Sequence, residues 1–161
     1  MGNEVNININ EIYQYESDWS SLFEDERFLK EFCEDILEPY IINQRWYSGK
    51  ASTLKYIEIV DQFKIESKKS YYGIVVEINF KEAFVQNYFI PIGIVKTLKQ
   101  VNHNYIARLD LNNTKGFLVD ALLIKDFQKS IFEKILEGRS NEIINIEFRK
   151  GRCCYANTYK S

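Results

Sequence analysis

The chain has 161 residues, of which 45% are hydrophobic and 15% aromatic. That suits one domain with a sizeable core and argues against disorder. A formal net charge of −2 argues against a dedicated nucleic-acid binder, whose footprint is strongly basic. The three cysteines, Cys33, Cys153 and Cys154, are odd in number and form no CxxC, which fits a reducing compartment better than a disulfide framework. Residues 1–10 are polar without a basic n-region, and no apolar run approaches the roughly 18 residues that span a bilayer. The expectation is a soluble, cytoplasmic protein with no membrane partner.

Val5, Ile7 and Ile9 alternate with asparagines, as in a short edge strand or an ordered tail. Residues 1–20 read as an N-terminal arm, 21–148 as the folded domain and 149–161 as a polar, basic tail or linker. After an acidic stretch holding Trp19, Leu22 and Phe23, the residues Leu29, Phe32, Cys33, Ile36, Leu37, Tyr40 and Ile41 predict a helix with one apolar stripe. Asp25 or Ser21 is placed to cap it, and Pro39 is placed to end or kink it. Gly49 is expected to free the backbone for a turn before the period changes to two.

Ile57, Ile59, Phe63 and Ile65 then share one face of a predicted strand, with Glu58, Gln62, Lys64 and Glu66 on the other. Residues 67–70 read as a hairpin loop. Tyr72, Ile74, Val76, Ile78 and Phe80 predict a second strand, and Phe84, Tyr88, Ile90, Ile92 and Ile94 a third. Pro91 places that third strand at an edge or a bulge. Residues 105–111 and 116–123 predict two more strands. A second helix follows, with Asp126 as N-cap, Phe127, Ile131, Phe132, Ile135 and Leu136 on its face, and Gly138 as its C′ residue. Residues 143–148 read as a final strand. The expected class is α+β: a curved antiparallel meander of about five to six strands, with an N-terminal and a C-terminal helix packed on one face.

Chemistry is sparse. His103 is the single histidine, which argues against a histidine triad or a multi-histidine metal site. Neither GxGxxG nor GxxxxGK[ST] occurs, and residues 48–52 read as a tight turn. Glu31, Glu34, Asp35 and Glu38 form a solvated acidic helix face. Arg149, Lys150, Arg152 and Lys160, interleaved with Tyr155 and Tyr159, suit either RNA contact or a linker. The expectation is no catalytic, cofactor-binding or metal residue in this chain.

The run Leu37-Glu38-Pro39-Tyr40-Ile41-Ile42-Asn43-Gln44-Arg45-Trp46-Tyr47-Ser48-Gly49-Lys50 resembles the opening of bacterial maltokinases, where a helix leads into a Gln-Arg-Trp-Phe-x-Gly-Lys type motif. Ile59-Val60-Asp61, Tyr72 to Ile78, Asn87-Tyr88-Phe89-Ile90-Pro91-Ile92 and Val119-Asp120-Ala121-Leu122 resemble later family segments in the same order. The resemblance implies the N-terminal cap of an enzyme that uses ATP and magnesium to convert maltose to maltose 1-phosphate. It also implies kinase lobes as partner in cis, and trehalose synthase as a fused or associated partner. The family's phosphate loop, catalytic aspartate and metal ligands belong to later regions, so no catalytic residue carries over.

Gln44, Arg45, Trp46, Tyr47, Gly49 and Lys50 are the signature and interface candidates. Trp46 and Tyr47 are the expected anchors, because buried aromatics dominate many interfaces. A binding module remains an alternative, with Tyr56, Tyr71, Phe89 and Tyr105 stacking a sugar or holding a peptide on the concave sheet face. A small enzyme using sheet carboxylates is the third reading.

Overall fold

The computed structural model describes residues 11–137, 140–141 and 146–147. The alternation at Val5 to Ile9, Gly138, the adjacent Cys153 and Cys154, and the basic tail lie outside the described residues. Of the predicted strand at 143–148, Ile146–Glu147 is described and the rest lies outside.

Asp25 starts the first helix, accepting hydrogen bonds from the backbone N–H groups of Arg27 (3.0 Å) and Phe28 (3.2 Å). Helix α1 (Glu26–Glu31) runs through a π turn (Phe32–Ile36) into α2 (Leu37–Ile42). Of the two outcomes expected at Pro39, an end or a kink, the structure excludes the end, since α2 continues to Ile42. A proline lacks an N–H and crowds the preceding turn. Here that turn is already widened, with Leu37 N–H reaching back to Phe32 O.

The main sheet contains β1 (Ile12–Tyr15), β2 (Leu54–Glu66), β3 (Ser70–Phe80), β4 (Val85–Val95), β5 (Ala107–Leu111) and β6 (Thr114–Asp120), in the order β1-β5-β6-β4-β3-β2. The class is α+β as expected: a curled six-stranded mixed sheet, a half-barrel, with an N-terminal and a C-terminal helix. It is not a simple meander. β1 pairs parallel to β5, and the β5–β6 hairpin turns so that β6 lies beside β4. Asn112 and Asn113 make its two-residue turn at φ 48° and 63°, a left-handed conformation that asparagine tolerates. Pro91 sits where β4 is locally an edge, since β6 pairs only with Ile92–Val95.

The two helices cover opposite faces rather than one. Neighbouring strand residues point to opposite sides, and they divide between two cores. Tyr72, Ile74, Val76, Ile78 and Leu118 pack with Phe28, Phe32 and Leu37 of the N-terminal helix. Tyr71, Val95 and Val119 pack with Phe127 of α3 (Lys125–Glu137). α3 begins at Lys125, so Asp126 lies within its first turn and is not the cap.

A bulge between Ile59 and Asp61 explains why β2 serves both cores. Before it, Ile57 and Ile59 face the first core; after it, Phe63 and Ile65 face the second. One extra residue reverses every later side chain. The predicted single apolar face is therefore split. Gln62 turns to the helix side, where its Nε2 donates to Phe23 O at 2.9 Å. β7 (Ser140–Asn141) and β8 (Ile146–Glu147) pair antiparallel as a separate two-stranded sheet. No helix among the described residues is long and apolar enough to cross a membrane.

Candidate functional site

The segment leaving α2 is built to close the helix end. Asn43 Nδ2 donates to Pro39 O (2.7 Å), and Gln44 Nε2 to Tyr40 O (3.1 Å). These side chains satisfy carbonyls that a helix C-terminus leaves without partners. Gln44 thus acts as a cap. At its other end the Tyr40 phenol lies near the Asp120 carboxyl. Burial pushes the Asp120 carboxyl up, while the N–H of Leu122 and the Tyr40 hydroxyl oppose the shift.

Beyond Gln44 the signature divides into an inner and an outer side. Tyr47 is only 4% exposed, and burial raises its phenol. Gly49 is buried against it. A Cβ there would lie 2.5 Å from the Tyr47 hydroxyl and 2.6 Å from Phe80 Cζ. Its φ is not left-handed, so close approach, not the expected turn freedom, requires glycine. Arg45, Trp46 and Lys50 face outward. Trp46 is 42% exposed and leans on the Tyr88 ring at 5.2 Å. Neither Arg45 nor Lys50 forms an ion pair among the described residues.

Tyr88 joins the two sides, a role not foreseen for it. Its hydroxyl donates to Gln86 Oε1 (2.8 Å), receives Ser48 N–H (3.3 Å), and lies 3.0 Å from Ser48 Oγ. The only sequence signal was its place in the Tyr-Phe-Ile-Pro-Ile run forty residues later. Register alone brings the two segments together.

The four aromatics expected to form a stacking surface are not brought together as one. Tyr71 is buried in the second core against Phe127, and its hydroxyl has no hydrogen-bond partner among the described residues. Tyr105 packs edge-on against Phe117. Tyr56 and Phe89 are 45% and 55% exposed, and Phe89 stacks on Phe63 at 5.9 Å. Of the acidic helix face, Glu34, Asp35 and Glu38 are exposed, as expected. Glu31 instead accepts hydrogen bonds from Tyr15 and Arg27. It also lines a cleft of about 720 Å³ between the helix and β1. Burial, with Glu11, Asp35 and Glu31 nearby, pushes the Tyr13 phenol in that cleft up to about 12. Cys33 is half-buried, and burial raises its thiol. His103 is exposed in a left-handed loop position.

No curated protein is significantly similar to the chain. The family model of the maltokinase N-terminal cap domain matches residues 40–123. That stretch runs from Tyr40, through the Gln44–Lys50 segment and the five strands β2 to β6, to the turn at Leu123. With more than half of its residues matched and the signature folded as one packed junction, the chain belongs to the maltokinase N-terminal cap domain family.

Proposed function

We propose that this domain is a non-catalytic docking cap of a cytoplasmic maltokinase-type protein. It packs on kinase lobes that themselves bind ATP and magnesium and convert maltose to maltose 1-phosphate for glucan synthesis. One observation carries this reading. The half of the second sheet face that α3 leaves open presents Tyr56, Val60, Val85 and Phe89 at 45–55% exposure. Grouped exposed apolar residues of this kind mark interaction surfaces. The outer side of the signature, with Arg45, Trp46 and Lys50, is a further candidate contact. Association with trehalose synthase is proposed on the family resemblance.

The test compares hydrogen exchange in β2 to β4 of the isolated chain with that of the same domain joined to kinase lobes. Slower exchange across the open half-face is the expected result. Maltose-dependent ATP consumption by the isolated chain would overturn the non-catalytic reading.

A further inference from the structure

The open half-face carries a pair of carboxylates that has no ionic partner among the described residues. Glu58 on β2 and Glu77 on β3 are direct cross-strand partners, and Asn87 continues the row on β4. Directly opposite like charges on one sheet face repel each other. Among the described residues neither glutamate forms an ion pair. Glu77 has one side-chain donor, Asn79 Nδ2 at 3.1 Å. Nearby Lys55 lies over the Tyr56 ring at 5.7 Å instead.

The acidic row runs between two apolar rows. On one side, Val75 pairs with Phe89 and, across from the bulged Val60, with the exposed Asp61, whose Oδ1 accepts the Gln62 N–H; on the other, Tyr56 and Val85 flank Asn79. A partner that covers the apolar rows must also take the two carboxylates out of water. Without a cation, desolvating two like charges together opposes binding. With one, the same pair favours it.

Resting on the docking reading above, we propose that the surface seated on this face is apolar and inserts an arginine between Glu58 and Glu77. A guanidinium bonds carboxylates through a planar fork and stacks on aromatic rings, and Tyr56 borders the row. Adjacent strands lie about 4.8 Å apart, so one guanidinium reaches both carboxylates.

The experiment titrates the full chain with the kinase lobes of a maltokinase, supplied as a separate polypeptide, at low and high salt. Phe89→Asp tests the face, and the double variant Glu58→Gln, Glu77→Gln tests the cation. The glutamine variant keeps size and hydrogen bonding at one exposed and one partly exposed position. It is expected to retain the fold, unfold at a slightly higher temperature on its own, bind about tenfold or more weakly, and lose most of its salt dependence. Arginine-specific modification of the lobes with phenylglyoxal is expected to abolish binding. If Phe89→Asp abolishes binding and the glutamine pair binds as the parent does, the face stands and the arginine is wrong. If lysine acetylation of the lobes abolishes binding and phenylglyoxal does not, the arginine is likewise wrong. If Phe89→Asp binds normally, the docking reading fails and takes this inference with it.

Discussion

The two faces of the sheet are finished to different degrees. On the first, the N-terminal helix covers a continuous core in which Phe28, Phe32, Leu37, Ile74, Val76 and Ile78 are 0% exposed. On the second, α3 covers only the half around Tyr71, Val95 and Val119, and the other half stays open. A strand is apolar on one face where one face is covered, and on both where both are. β3 shows the change along its own length: Tyr71 to Ile74 are all buried, whereas Val75, Glu77 and Asn79 alternate as partly exposed residues with buried ones. Stability is thus concentrated on the first face, and the second keeps surface for contact.

The largest loss belongs to Phe28, which packs edge-on against Tyr15 and Phe23 and stacks on Phe32. Phe28→Ala is expected to cost about 3–5 kcal/mol in urea unfolding. Phe89→Ala on the open half is expected to cost under about 1 kcal/mol. Equal losses would contradict the division. Gly49→Ala comes next. Its Cβ has no room between Tyr47 and Phe80, so a loss of about 1–3 kcal/mol is expected by thermal unfolding.

Asp25→Ala is expected to remove about 1 kcal/mol at neutral pH through loss of the helix cap. The Ser17 hydroxyl, with the N–H groups of Phe28 and Arg27, holds the Asp25 carboxyl below its ordinary value. Its folded pKa is depressed, so its contribution is present above the ordinary carboxylate value and is lost as pH falls through the folded one. The gap between parent and variant in unfolding midpoint should therefore narrow on acidification, and a gap that widens would contradict the capping role. The smallest effect belongs to Tyr71→Phe. That change keeps the ring against Phe127 and removes a buried hydroxyl without a partner among the described residues, so stability should be unchanged or rise by about 1 kcal/mol.

Much of the architecture was legible in the residues. Asp25 as cap, the apolar stripe from Leu29 to Ile41 and the strands around Ile57, Ile74 and Ile90 all follow from local chemistry and periodicity. The bulge beside Val60 was not legible, because a period-two pattern continues through it. Only the pairing with β3 reveals that Gln62 and Lys64 face the helix. Gln62 reaches Phe23 O there, and Lys64 lies over the Tyr72 ring at 5.9 Å. The outcome at Pro39 was not legible for a related reason. Its penalty assumes an ordinary α turn upstream, and the π turn replaces one. Of the signature residues, an aromatic anchor was foreseeable, but which aromatic went inside was not. Tyr47 is buried and Trp46 is half-exposed, a choice set by Phe80 and Tyr88 from distant strands.

The residues alone placed the first helix, α3, the strands β2 to β6 and the family resemblance, because caps, periodicity and ordered short motifs are local properties; they did not place β1, whose residues read as part of an N-terminal arm. Tertiary structure alone decided that β1 runs parallel to β5, that β6 lies beside β4, that the helices take opposite faces, and that Glu58 meets Glu77. Those outcomes depend on register between residues far apart in the chain, and a local hydrophobic pattern carries no record of which distant strand will be its neighbour.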